Sequence, residues 1–368
     1  MRIAFITNNY HPYSAGVVRS IDALTQQLQK EGNHVCIVTL DFTREKNDPE
    51  YVKRIPSVLR FMYKKKYMAI PWCAKKYLNR FLEEFKPDLI HVQHPFLLGP
   101  WARDWARKNV VPVLFTYHTV YEDYVHYVPL PSFLVRPIVT HKVLAFCRTV
   151  DKIIVPSTGM RDYLLGHGII HTVVIPSPIR VEFGEQRFNQ KSIAQTINLL
   201  TVSRFNKEKN IPILFEVLKE LPENYHLTLV GYGDHEEELR AQAQPFGDRV
   251  EFVIKPSLEK LIQCYQQADL FLFSSYSDTQ GLVLAEAMSC SIPVISLDGM
   301  GQRDILINGE NGYIVDSVRD MAAAILHITT SPEQYQTLQR GAFKMAKNYY
   351  PEAIVGRLAY LYKNLLFH

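Results

Sequence analysis

Two carboxylates, Asp278 and Glu286, stand eight positions apart with Gly281-Leu282-Val283 between them. The apolar run Asp269 to Ser274 before them reads as a buried strand, and Ile292 to Ile295 after them starts another. Leu282 to Met288 reads as a helix, which puts Asp278 on the strand-to-helix loop and Glu286 a little over one turn inside. The N–H groups of Gly281, Leu282 and Val283 then lie at a free helix N-terminus, a place that favours an anion such as a diphosphate. Carboxylates on either side of such a nest can grip a sugar hydroxyl and a ribose. An ordinary helix start with a capping carboxylate is the other reading of this stretch.

Further groups suited to an anion follow other expected strands. Ile197 to Ser203 leads into Arg204-Phe-Asn-Lys-Glu-Lys-Asn210, where Arg204 and Lys209 can reach one diphosphate, the first as a fork and the second as a point charge. An exposed basic loop has the same composition. His226 to Val230 ends in Gly231-Tyr-Gly-Asp234, whose small residues let a backbone or ligand come close. Arg2 to Thr7 runs into a turn-rich loop closed by Gly16 and then a helix from about Val17, the geometry that brings backbone near phosphate. A plain turn glycine reads the same way. His118 falls at the carboxyl end of the run Val110 to Thr116, where open α/β sheets place their ligands.

The elements that must position these groups alternate strand and helix throughout, in two halves that meet near Pro176-Ser-Pro178. The expectation is two doubly wound α/β domains, 1–178 and 179–347, their strand-end loops facing a shared cleft, with a last helix over 348–368. An apolar share of 47% and a charged share of 21% fit globular domains. No apolar run approaches a spanning helix, and no signal-peptide pattern opens the sequence. Five scattered cysteines without C-x-x-C spacing point to a reducing cytosol rather than to disulfides or structural zinc. No residues have metal-ligand spacing, so none is expected to bind a metal.

The charge is uneven. Residues 1–180 hold 24 Lys and Arg against 14 Asp and Glu, and 181–368 hold 17 against 23. Between Tyr51 and Leu82 stand nine basic residues, among them Lys64, Lys65 and Lys66, and no acidic one, interleaved with aromatics that include Trp72. This composition suits a surface-lying membrane contact, an RNA-binding face on which bases stack, or a solvated basic face whose aromatics join the core.

Asp278 to Glu286 resembles the acidic-x7-acidic signature of retaining glycosyltransferases of the GT-B fold, family 4, with Asp where Glu is usual. Arg204 to Lys209 resembles the donor-phosphate motif of the same family, and Ala15-Gly16 stands where it carries a glycine pair. Thr279-Gln280-Gly281 and the segment His118-Thr-Val-Tyr121-Glu-Asp-Tyr124 are similar to the branch that glycosylates membrane lipids, notably diacylglycerol glucosyltransferases. The resemblance implies two Rossmann-like domains with a C-terminal helix crossing back to the first. It implies that Asp278 contacts the donor sugar and Glu286 the ribose, with Arg204 and Lys209 on the diphosphate. Gly16 would approach the reacting centre, His118 would hydrogen-bond the sugar or its diphosphate, and Ile254 and Lys255 would frame the base. Tyr121 and Tyr124 would border the acceptor.

The implied activity moves a hexose, glucose or galactose, from a nucleotide sugar such as a UDP-hexose to a lipid hydroxyl. It needs no redox cofactor or metal, and the leaving phosphate helps deprotonate the incoming hydroxyl. The expected partners are the nucleotide sugar, a lipid acceptor and an anionic membrane surface rather than nucleic acid, with the enzyme peripheral on the cytoplasmic face. A soluble or polyprenyl-linked saccharide acceptor, or a non-catalytic sugar-nucleotide binding subunit, are the alternatives.

Overall fold

The computed structural model describes residues 1–366 apart from 13–15, 43–47, 64–65 and 123–130, with the backbone alone at 63, 66 and 67. Two compact units divide the chain: Met1–Pro178 together with Pro351–His368, and Ile179–Tyr350.

Runs such as Ile3-Ala-Phe-Ile6 are apolar at every position because parallel strands are covered on both faces. In the first unit the elements are β1 (Arg2–Ile6), α1 (Gly16–Lys30), β2 (His34–Leu40), β3 (Val52–Ile55), β4 (Ser57–Tyr63), β5 (Lys66–Pro71), α2 (Ala74–Phe85), β6 (Leu89–Val92), α3 (Leu98–Asn109), β7 (Val113–Thr116), α4 (Ser132–Cys147), β8 (Lys152–Val155), α5 (Thr158–Gly166) and β9 (Thr172–Val174). Seven of these strands form one parallel sheet in the order β3-β2-β1-β6-β7-β8-β9, and β4 and β5 pair antiparallel as a separate hairpin.

The second unit contains α6 (Val181–Gly184), β10 (Ile197–Arg204), α7 (Pro212–Lys219), β11 (Tyr225–Tyr232), α8 (Glu236–Ala243), β12 (Val250–Ile254), α9 (Leu258–Gln267), β13 (Leu270–Phe273), α10 (Leu282–Ser289), β14 (Val294–Leu297), β15 (Gly312–Val315), α11 (Val318–Thr330) and α12 (Pro332–Ala346). Its six strands are parallel in the order β12-β11-β10-β13-β14-β15. Serines 157, 257, 317 and 331 accept the N–H three residues on and so cap α5, α9, α11 and α12.

The last helix, α13 (Pro351–Leu366), belongs to the first unit. Its buried residues Ile354, Val355, Leu358, Leu361 and Tyr362 recur at helical spacing and join the core of Val18, Ile21, Leu24 and Leu28 from α1. Both sheets are doubly wound, as the alternating pattern leads one to expect. Strand order reverses between β1 and β6 in the first unit and between β10 and β13 in the second, and such switch points hold ligands in this architecture.

Two segments depart from expectation. Strand β7 begins at Val113, because Val110 takes a left-handed backbone (φ 56°) that ends α3 and stands 91% exposed. The basic stretch 51–82 is one run in sequence but three pieces in space: the edge strand β3, the hairpin and α2.

Candidate functional site

At the switch point of the second unit, the loop after β10 faces the loop after β13. The Lys209 ammonium donates to both carboxylate oxygens of Asp278, at 2.6 and 2.7 Å. Their side chains are 13% and 23% exposed. The backbone around them is fastened: Ser274 and Ser275 hydroxyls donate to the carbonyls of Lys209 and Glu208, and the Gly301 N–H donates to the Asp278 carbonyl at 3.1 Å. Gln302, fully buried, donates to the Ser275 carbonyl at 2.6 Å. Gln302 was no sequence candidate, since its spacing to the carboxylates carries no motif. Arg204 ends β10 on the same loop and lies 3.7 Å from Glu208.

Gly281 caps α10 in a left-handed conformation (φ 70°), and the next residues, Leu282 and Val283, open the helix. Their N–H groups have no carbonyl partner within it, as at any helix start. Glu286 is one turn further in and only 4% exposed. Its carboxylate accepts from Arg180 Nε at 3.1 Å and from the Tyr265 hydroxyl at 3.0 Å. Burial, and then the neighbouring carboxylate, push the Tyr265 phenol well up, so it stays a donor. Arg180 and Tyr265 are partners that sequence reasoning missed: they stand 106 and 21 residues from Glu286, with no motif linking them.

Gly231 lies at the end of β11 with φ 152°, and a Cβ there would sit 1.8 Å from the Ser203 carbonyl oxygen. Only glycine lets β11 lie so close to the end of β10. Ile254 is its register partner on β12. Lys255 follows with φ 45°, its N–H donating to the Gly231 carbonyl and its ammonium 5.2 Å from the Tyr232 ring centre. Gly231, Ile254 and Lys255 are therefore neighbours at the carboxyl edge of the sheet that also carries Arg204, Lys209 and Asp278.

In the first unit, Gly16 opens α1 beyond the end of β1, and a Cβ on it would meet nothing. The fold does not itself demand glycine there. His118 lies just past β7, and its Nε2 is 2.7 Å from Gln93 Oε1, beyond the end of β6. Burial, with His94 and His91 nearby, pushes the His118 imidazole down to about 3, so it is neutral at ordinary pH. In that state Nε2 carries the proton donated to Gln93 and Nδ1 carries none. Gln93 is 1% exposed and had no sequence signal. Beneath it His91 lies 2.6 Å from the Thr116 hydroxyl and 2.8 Å from that of Tyr362, which ties α13 to the sheet. Tyr121 packs edge-on against Phe96 and Tyr117. Tyr124 lies outside the described residues.

The basic stretch also differs in space from its sequence. Arg54 pairs with Asp48 and Arg60 with Asp41, acids from just before the stretch, so two of its charges are met locally. Trp72 is 61% exposed, beside exposed Lys75 and Lys76. Lys64 and Lys65 lie outside the described residues, and of Lys66 only the backbone, opening β5, is described. Among the described residues no helix is long and apolar enough to cross a membrane, and no group of three or more His, Cys, Asp or Glu is placed to hold a metal ion.

Comparison with known proteins identifies the family and the fold. The family model "Glycosyltransferase Family 4" matches residues 14–183, and "Glycosyl transferases group 1" matches residues 182–345. Alpha-monoglucosyldiacylglycerol synthase of Streptococcus pneumoniae is 32% identical, over 96% of this chain and 86% of that protein. The protein of the same name from Acholeplasma laidlawii is 26% identical, over 100% and 98%. Among solved structures, sucrose-phosphate synthase from Thermosynechococcus elongatus superposes with a TM-score of 0.76 at 23% identity, covering 99% of each chain. Anabaena HepE in complex with UDP also gives 0.76, at 16% identity, over 99% of this chain and 100% of its own. The chain belongs to the family 4 glycosyltransferases of the GT-B fold.

Proposed function

We propose that this glycosyltransferase moves a hexose, glucose or galactose, from a UDP-hexose to the hydroxyl of a membrane lipid such as diacylglycerol, with retention at the anomeric carbon. The observation that carries the reading is the 32% identity across nearly the whole chain to a protein named for making alpha-monoglucosyldiacylglycerol. An α-linked product from an α-linked nucleotide sugar is the outcome of retention.

In this reading the diphosphate lies at the switch point of the second unit. Arg204 and Lys209 supply its counter-charge, and the N–H groups of Gly281, Leu282 and Val283 add dipoles aimed the same way. Charge grows on the leaving diphosphate as the glycosidic bond breaks, so these fixed cations act most strongly in the transition state, and the reading calls for no metal ion. Asp278 takes a hydroxyl of the donor sugar and holds Lys209 in line. Glu286, braced by Arg180 and Tyr265, anchors the start of α10 and receives the ribose. Gly231, Ile254 and Lys255 border the base. By the family resemblance Gly16 is assigned to the reacting centre and neutral His118 to a hydrogen bond with the sugar or its diphosphate. Tyr121 and Tyr124 border the acceptor. The lipid hydroxyl approaches the face from which the phosphate leaves, and a departing phosphate oxygen takes its proton. The enzyme works at the cytoplasmic surface of an anionic membrane.

The test is the product. Purified chain, UDP-glucose or UDP-galactose and diacylglycerol in anionic micelles should give a hexosyl lipid whose anomeric proton shows the α coupling. A β product would refute retention, and transfer to soluble saccharide alone would refute the lipid acceptor.

A further inference from the structure

The loop over residues 274–281 joins β13 to α10 and carries Asp278. No hydrogen-bond ladder runs through such a loop, so its neighbours must hold it. On one side Ser274 and Ser275 donate to the carbonyls of Lys209 and Glu208, in the loop after β10. On the other side stands the segment 298–302, which follows β14. The Gly301 N–H of that segment donates to the Asp278 carbonyl at 3.1 Å. A Cβ on Gly301 would lie 2.5 Å from the Gln280 backbone nitrogen, so only glycine lets the two backbones approach so closely. Gln302 then reaches back, and its Nε2 donates to the Ser275 carbonyl at 2.6 Å. Its amide rests against Gly299, where a Cβ would lie 2.7 Å from both Nε2 and Oε1.

Packing alone does not call for an amide in that place. Gln302 is 0% exposed, and among the described residues its buried Oε1 has no hydrogen-bond partner. A buried oxygen without a donor destabilises the fold, and methionine would fill a similar volume without that oxygen. The Ser275 carbonyl also decides which way the amide faces, because only the NH2 end can donate to it. What glutamine supplies over an apolar side chain is therefore the bond to Ser275. That bond does not touch the Asp278 side chain. It fixes the backbone from which the carboxylate meets Lys209 through both oxygens, a geometry that a shift of about 1 Å would break.

We propose that Gln302 is a positioning residue for sugar transfer: through the Ser275 carbonyl it holds the loop that aims Asp278 at Lys209 and the donor sugar. The proposal rests on the reading that Asp278 takes a hydroxyl of that sugar. Fully buried, Gln302 acts through the backbone rather than on the substrate.

Transfer kinetics of the full chain, with its UDP-hexose and diacylglycerol in anionic micelles, test it. Rates are taken well below the thermal midpoint of each variant, so that lost stability does not enter them. Gln302→Met keeps the volume and removes the donor; kcat should fall about tenfold. UDP affinity by calorimetry should stay within about threefold, since Arg204, Lys209 and the start of α10 are unchanged. The deciding readout is the cycle with Asp278→Asn. If Gln302 acts through Asp278, adding Gln302→Met to that variant should change its residual kcat by less than about twofold. The same tenfold loss in both backgrounds would overturn the proposal and leave Asp278 on the sugar. Undiminished transfer in Asp278→Asn alone would remove the Asp278 reading and the proposal with it. Gln302→Glu adds a pH profile as a second test. Its carboxyl can donate to the Ser275 carbonyl only when protonated, and burial pushes the pKa of such a group up. Its kcat relative to wild type should therefore rise as pH falls from about 8 to 6, while the ratio for Gln302→Met stays level. A wild-type kcat in Gln302→Met, or a level ratio in folded Gln302→Glu, would overturn the proposal.

Discussion

Replacing Asp278 by Asn removes a charge and keeps the shape, which makes it the sharpest probe of the Lys209–Asp278 pair. The ammonium lies 2.6 and 2.7 Å from the two oxygens. A hydrogen bond to a charged group contributes about 1.5–3 kcal/mol, so D278N should lose about 1–3 kcal/mol of stability in urea unfolding. Its effect on nucleotide binding should have the opposite sign. If Lys209 takes the donor diphosphate, Asp278 lies within roughly 6 Å of that anion and repels it by about 3 kcal/mol per charge at an effective dielectric near 20. Solvent and salt reduce this to about 1–2 kcal/mol, so D278N should bind UDP about 5- to 30-fold more tightly by titration calorimetry. Transfer should fall at least ~100-fold, because the contact with the donor sugar is lost. Lys209→Met should weaken UDP, and the double variant should show a coupling energy of about 1 kcal/mol or more in stability. Weaker UDP binding in D278N, or intact transfer, would refute the reasoning.

Arg180→Met leaves the Glu286 carboxylate buried without its cation and should cost about 3–5 kcal/mol in thermal or urea unfolding, most of it recovered by adding Glu286→Leu. His91, fully buried, is held down to about 3 by desolvation, so below its unfolded value near 6.5 the unfolded chain binds the proton and the folded one does not. Stability should fall with decreasing pH at up to about 1.4 kcal/mol per unit per such imidazole between roughly pH 6.5 and 3, and His91→Gln should flatten that slope by one proton. Gln93→Met removes the acceptor that orients His118; transfer should fall about tenfold with UDP affinity unchanged, while Gln93→Glu should raise the His118 pKa and shift the acid limb of the rate profile.

What was legible in the chain follows from how local each signal is. β1 and β13 are apolar at most positions because parallel strands are covered on both faces, and the loops that follow them announce a ligand edge. Asp278 and Glu286 stood out through their spacing and the family signature they resemble, because one loop and one helical turn set their separation. The direct pairings were not legible: the Lys209–Asp278 bond spans 69 residues and the Arg180–Glu286 bond 106, separations at which only the fold creates neighbours. The hairpin was hidden for another reason. Val58-Leu-Arg-Phe-Met62 has no clean alternation, since both of its faces carry apolar side chains, so a period-2 reading finds nothing. Absence of acid between Tyr51 and Leu82 likewise suggested uncompensated charge, whereas Asp41 and Asp48 reach Arg60 and Arg54 from before the stretch.

The central claim, a lipid hexosyltransferase, is tested most directly by offering the purified chain UDP-glucose, UDP-galactose, UDP-N-acetylglucosamine and GDP-mannose, each with and without diacylglycerol in anionic micelles. The account predicts turnover with UDP-glucose or UDP-galactose that requires the lipid and yields a hexosyl diacylglycerol. Turnover indifferent to lipid would contradict it, as would silence with every donor despite tight UDP binding.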